Sequence, residues 1–352
     1  MVMEVNGYKI EHKANLRGAS FEGATLIDAH LHWANLRGAN FGRANLTRAD
    51  LGYANLMSIN LTGATLIDAH LAGASLTMAN LTMANLTHAN LVGAKLIRAN
   101  LTGANFAHAD LKDANFKGAN LKDANLEGAN LEGAIFLYAE TLDDTVIETN
   151  LEGANFSGAN LEKAIFRYCY LEGANFAGVT LTSAYFQGAS LQGANFAGAD
   201  LTRANLDGAN LEGANFAGAD LTRANLKDAN LEGANLEGAN LEGANFEYAN
   251  LEGANLEGAN LIFADLTRAN LAGANLAGAK LNWANLAGAN FADANLEGVS
   301  FIGVDLSRAD FSRANLSNAY SVTNFKKDIL HVSNLEGANL TGATMPDGAI
   351  HD

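Results

Sequence analysis

A five-residue period runs through almost the whole chain, and few architectures can hold one. Counting in fives from Leu16 to Leu316, the 61 central positions carry 44 Leu and 15 Phe, broken only by Thr141 and Val146. Ala stands two residues before the centre in 54 of those 61 cases, giving a unit Ala-Asn-Leu-x-Gly, as in Ala229-Asn-Leu-Glu-Gly-Ala-Asn-Leu-Glu-Gly-Ala-Asn240. Self-similarity at a fixed short period marks an architecture built by stacking. On an α-helix a five-residue spacing advances about 500°, or roughly 140° net, so the Leu side chains would scatter around the cylinder. In a flat strand, side chains alternate with period two, and an odd repeat would send successive Leu to opposite faces. Both objections vanish if the chain turns a corner in every pentapeptide. Leu and the preceding Ala then stay inside, the other three positions face out, and the main chain coils around its own Leu core.

The Phe residues set the number of sides, because bulky groups in a packed core must find room in neighbouring layers. Phe116, Phe136, Phe156, Phe176, Phe196 and Phe216 recur at intervals of twenty, as do Phe21 with Phe41, Phe166 with Phe186, and Phe291 with Phe311. Four pentapeptides per turn place the first six in one column of stacked rings, with Phe166 and Phe186 on the opposite side. The predicted fold class is all-β: a quadrilateral β-helix of about 16 coils, each rising about 4.8 Å.

Residues 1–13 are expected to cap the front of the solenoid, because exposed core ends and strand edges need cover. The β-helix is expected over 14–317, with an irregular break at 140–150. That break keeps the five-residue count but points Thr141, Asp144 and Thr149 inward, where polar groups cost free energy unless bonded. A local bulge or loop is expected. Its carboxylates Glu140, Asp143, Asp144 and Glu148 lack the spacing and Gly of an EF-hand loop, and are read as solvated rather than as a Ca²⁺ site. Residues 318–334 form a frame-shifted interruption, and 335–352 hold the last coil and the C-terminal end. In the shifted frame the centres become Phe325, Leu330, Leu335, Leu340 and Met345.

The array resembles the pentapeptide-repeat proteins, whose motif has Ala, then Asn or Asp, then an inward Leu or Phe, then two variable residues. The likeness covers about residues 14 to 345 and implies a right-handed quadrilateral β-helix. The regular Ala-Asn-Leu-x-Gly form and the ending Ala343-Thr-Met-Pro-Asp-Gly348 resemble cyanobacterial members in particular. Most of that family has no assigned biochemical role. A minority, resembling DNA in shape and charge, bind type II topoisomerases.

The formal net charge of −16 is unevenly placed: residues 1–100 hold 8 Lys/Arg against 6 Asp/Glu, and residues 101–352 hold 14 against 32. Glu recurs in every pentapeptide at Glu232, Glu237, Glu242, Glu247, Glu252 and Glu257, which surrounds that part of the coil with acid. Two outward aromatic columns, Trp33 with Tyr53 and Phe263 with Trp283, join Tyr248, Arg268 and that Glu series as the candidate interaction surface, since exposed aromatic and Arg clusters favour partner binding, the simpler reading being that the aromatics cover the corner of the coil. His88 and His108 share one repeat position twenty residues apart. A metal pair there is set against the simpler reading of the column Asp28, Arg48, Asp68, His88, His108 as a surface charge ladder. Cys169, the single cysteine, excludes an internal disulfide and is read as an inert core residue.

No stretch approaches the ~18 consecutive apolar residues of a membrane span. No signal-peptide pattern opens the sequence, so a cytoplasmic address is expected. There is no phosphate-binding loop, no His-Glu-x-x-His and no Gly-x-Ser-x-Gly, and a Leu-filled core leaves no pocket. No catalytic residue, cofactor or metal site is assigned. The expected function is a non-enzymatic scaffold or protein–protein interaction rod, monomeric or dimerised end to end, that binds another protein and no nucleic acid. The alternative is a DNA-mimicking regulator of DNA gyrase or another type II topoisomerase.

Overall fold

Each pentapeptide closes a tight turn in which the Ala N–H donates to the Leu carbonyl three residues back, as from Ala34 to Leu31 and Ala254 to Leu251 at 3.0 Å. The third residue of that turn takes a positive φ, +64° at Gly253, a conformation Gly adopts without steric cost. Other backbone groups pair with adjacent coils: Leu251 N–H donates to Asn270 O at 2.6 Å, and Asn250 N–H to Ala229 O at 2.9 Å. Parallel bridges join residues twenty apart, such as Asn35 with Asn55 and Asn235 with Asn255. Four pentapeptides therefore complete one turn of a β-helix, with a single bridged residue on each side.

The structure, a computed structural model, describes residues 3–141, 145–320 and 336–352. It comprises two compact units, Met1–Thr180 and Leu181–Asp352. The first opens with an antiparallel hairpin of β1 (Met3–Val5) and β2 (Tyr8–Ile10). Ile10 is buried, and the Tyr8 ring meets Phe21 at 5.4 Å, so the hairpin lies against the first coil's core. No helix among the described residues is long and apolar enough to cross a membrane.

Inside both units the Leu and Phe centres and the Ala two residues earlier are buried, and among the described residues only Thr149 and Ser300 are buried polar side chains. Burial of each Leu or Phe supplies about 1.5–3 kcal/mol. The outward Asn residues are bonded at both ends. Asn235 Nδ2 donates to Asn215 Oδ1, and Asn255 Nδ2 to Asn235 Oδ1, both at 3.1 Å, while Asn235 Oδ1 also accepts the Glu237 N–H at 3.2 Å. Such ladders tie coil to coil at the corners.

The break near residue 140 is a second antiparallel hairpin, β3 (Ala139–Glu140) with β4 (Val146–Ile147). Across it the bridged partners stand thirty residues apart, Asn120 with Asn150 and Ile135 with Ile165, before the interval returns to twenty at Asn150 with Tyr170. Ten residues have been inserted between two coils. This corrects the expectation of a single Phe column, because the five-residue frame survives the insertion while the side it addresses does not. Phe136 stacks on Phe116 and on Phe166, each at 4.7 Å between ring centroids, and meets Phe156 edge-on at 6.5 Å. Phe156 instead stacks on Phe176 at 4.7 Å. Two opposed columns share the core where one of six rings was expected. In the second unit Phe196 stacks on Phe216 at 4.8 Å and meets Phe186 edge-on at 6.0 Å.

The polar residues of the break also sort differently from the sequence expectation. Thr141 bonds within the hairpin, its Oγ1 contacting Thr145 O at 3.1 Å, and Val146 is exposed rather than central. Thr149 does face inward, taking the Ala position of its pentapeptide. Its hydroxyl donates to Leu137 O at 2.6 Å and accepts the Gly118 N–H at 3.0 Å, which satisfies it in the core. Asp143 and Asp144 lie outside the described residues.

Near the C-terminus Asp310 bridges Asn339 and Asn315 bridges Thr344, intervals of twenty-nine, so the frame has moved back by one residue. Met345 is buried and Leu340 half-buried. The expected centres Phe325, Leu330 and Leu335, and most of 318–334, lie outside the described residues.

Candidate interaction surface

Five large exposed aromatic side chains occupy the one position of the turn that disfavours them. Trp33, Tyr53, Tyr248, Phe263 and Trp283 sit at the third turn residue with φ of 60°, 53°, 61°, 60° and 61°. A left-handed backbone costs a residue with a Cβ roughly 1–2 kcal/mol relative to its ordinary conformation. Gly takes the same position at Gly253 and Gly258 without that cost.

The Trp33 and Tyr53 rings lie parallel, 4.8 Å apart, and both residues remain more than half exposed at 53% and 51%. The second column differs from the sequence expectation. Trp283 folds across Gly303, where an added Cβ would collide with the indole, and among the described residues no ring contact joins it to Phe263. Gly303 leaves room for the indole, as Gly73 does for the Tyr53 ring. Arg268 and Tyr248 share one column: the guanidinium donates to the Tyr248 hydroxyl at 2.7 Å and lies 5.5 Å from the ring centre. Lys227 approaches the same ring at 5.6 Å and holds Glu247 at 2.9 Å, a bond that raises the lysine pKa.

Of the acidic series, Glu232, Glu237, Glu242, Glu252 and Glu257 are exposed and Glu247 is half-buried. Glu252 and Glu257 accept hydrogen bonds from Asn270 and Asn275 at 3.2 Å. In the charge ladder, Arg48 grips Asp28 with two bonds of 2.7 and 2.8 Å, and the His88 and His108 rings stack at 5.3 Å. The Arg48 hydrogen bond holds the Asp28 carboxyl below its ordinary pKa, and Arg313 does the same for Asp293. Cys169 is buried, and its thiol donates to the Phe136 carbonyl. Burial first, and the charge of Glu148 second, push that thiol well up, which favours its protonated form.

One constellation escaped the sequence reading. His32 Nδ1 lies 3.1 Å from Asp50 Oδ1, and the His32 and His70 rings are parallel at 6.5 Å between centroids. Asp50 and His70 share a column, but His32 reaches them diagonally, so columns read at intervals of twenty keep them apart. The signal that could have found them is Gly52, the gap in the His12–His32 column through which His32 tilts.

The family profile described as pentapeptide repeats (8 copies) matches repeatedly between residues 12 and 136 and again between 181 and 320. A second profile, pentapeptide repeat region, matches 119–196. A search of curated proteins finds no match. Among solved structures, HetL from the cyanobacterium Nostoc sp. strain PCC 7120, described as involved in heterocyst differentiation regulation, is 32% identical over 75% of this chain and 92% of its own, with a TM-score of 0.29. The Nostoc protein alr5209 is 38% identical over 34% of this chain and 83% of its own, with a TM-score of 0.20. QnrB1, a plasmid-mediated fluoroquinolone resistance protein, is 22% identical over 71% of this chain and 90% of its own, with a TM-score of 0.22. The kinship rests on the repeat match rather than on superposition.

Proposed function

Because this chain belongs to the pentapeptide-repeat family, we propose that it is a non-enzymatic scaffold or protein-interaction solenoid, a right-handed quadrilateral β-helix of about 16 coils. Its partner is another protein, met in the cytoplasm. The observation that carries this reading is the placement of exposed Trp33, Tyr53, Phe263 and Trp283 on left-handed backbone, where Gly would be more stable. Conformational strain held at an exposed aromatic is the pattern of a functional surface, since selection for stability alone would remove it. Aromatic and Arg side chains are also those that dominate binding energy at protein interfaces.

The test is affinity capture from cell extract, comparing the wild-type chain with variants in which Trp33 and Tyr53, or Phe263 and Trp283, are replaced by Ala. A specific protein retained by the wild type and lost with one variant is expected. An identical set of captured proteins for all three chains defeats the reading.

The exposed series Glu232 to Glu257 favours a second reading, mimicry of the phosphate charge of DNA toward a gyrase or related topoisomerase. It ranks second because acid on every side also serves solubility. Gyrase supercoiling unchanged by micromolar protein at low salt eliminates it.

A further inference from the structure

We propose that His32, Asp50 and His70 form a binding site for a first-row divalent transition metal ion, with Zn²⁺ as the natural probe. Among the described residues this is the one group of three metal-capable side chains whose ligand atoms all lie within 4.8 Å of one another. Two imidazoles and a carboxylate are a donor set suited to Zn²⁺ and its neighbours, and leave a fourth position for water or an incoming ligand. The His88–His108 stack offers two imidazoles without a third ligand of this kind.

The geometry is close to what an ion requires. Tetrahedral Zn²⁺ with bonds of about 2.1 Å sets its ligand atoms roughly 3.4 Å apart. The His32 Nδ1 to Asp50 Oδ1 separation is already 3.1 Å. The widest separation must close by roughly 1.4 Å, within reach of a small rotation of a half-buried imidazole.

The surroundings hold the ligands in place. Asp50 Oδ1 also accepts the Gly52 N–H at 3.1 Å, the kind of supporting bond that orients a metal carboxylate. His12 stacks on the other face of His32 at 5.7 Å, and Tyr53 meets His32 edge-on at the same distance. Gly52 supplies the room: a Cβ there would lie 2.6 Å from His32 Nδ1 and 3.0 Å from His70 Cδ2. Its φ lies outside the left-handed region, so the backbone itself admits Ala and the missing side chain is a matter of space.

The full-length chain, stripped with chelator, would be titrated with Zn²⁺ by calorimetry and with Co²⁺ by visible absorption. About one equivalent is expected to bind, with the Co²⁺ bands of a four-coordinate N/O site. Asp50→Asn and His70→Asn restore the residue most common at their repeat position, so both variants should fold, as circular dichroism would verify. Each of these, and Gly52→Ala, is expected to weaken binding by about ten-fold or more, while His88→Ala leaves it unchanged. The proposal is overturned if about 100 μM Zn²⁺ fails to bind, if binding is unchanged in Asp50→Asn, His70→Asn and Gly52→Ala, or if it follows His88 instead. None of these readouts depends on the scaffold reading or on a partner.

Discussion

A left-handed turn position converts side-chain identity directly into stability. Replacing Phe263 by Gly removes the Cβ conflict at φ 60° from a side chain that is 60% exposed, and is expected to raise the unfolding free energy by about 1 kcal/mol in a urea melt. The same substitution removes part of the proposed partner surface, so stability should rise as capture falls. Thr149 has the opposite balance. Thr149→Val removes the buried hydroxyl bond to Leu137 O, while the Gly118 N–H keeps its own bond to that carbonyl at 2.9 Å, and should cost about 0.5–1.5 kcal/mol, with Thr149→Ser restoring most of it. Asp28 and Asp293, held below the ordinary carboxylate pKa by Arg48 and Arg313, are expected to titrate below about pH 3.9 by NMR. A folded-state pKa below the unfolded one means stabilisation present above the unfolded value and lost as pH falls through the folded one. Arg48→Gln should return Asp28 to the ordinary range and leave Asp293 where it is. Outside the β3–β4 hairpin, where Thr141 and Val146 leave the interior, which residues face inward was legible from the period, down to Cys169 in an Ala position. The diagonal meeting of His32 with Asp50 and His70 was not, because it depends on the empty space at Gly52 and not on any repeat.

At the level of elements, the hairpin of β3 and β4 is an excursion from the coil that leaves the pentapeptide frame unbroken. Joining Tyr138 to Thr149 by deleting residues 139–148 would place Thr149 in the Ala position and Leu151 at the next centre, restoring intervals of twenty throughout that unit. The deletion is expected to give a folded β-helix with an unchanged circular dichroism spectrum. Collapse of the far-ultraviolet signal would show instead that the hairpin is needed to complete the coil. The four-pentapeptide turn was readable from the Phe spacing, and the stacking of Phe116 on Phe136 follows it. The stacking of Phe156 on Phe176 follows it too, but the next-layer partner of Phe136, which is Phe166 and not Phe156, was not readable. A ten-residue insertion is a multiple of five, so counting in fives passes over it, and only the main-chain pairing of Ile135 with Ile165 reveals the change of side.

For the whole molecule, a core assembled coil by coil makes stability a sum of local contributions and nearest-neighbour interfaces. Phe116→Ala removes a ring stacked on Phe136 and should cost about 3–5 kcal/mol. In hydrogen-exchange mass spectrometry the loss of protection is expected in the coils flanking residue 116, with amides of Leu181–Asp352 protected as before. Uniform loss across the chain would mean one cooperative unit instead. The ten extra residues at the β3–β4 hairpin carry a wider meaning, since they lengthen the chain without advancing it around the coil. An insertion extruded between two coils can thus leave both the dry interior and the pairing of exterior neighbours unaltered, as Asn120 still faces Asn150. New surface can be added to such a chain by extrusion, without a single substitution in its core.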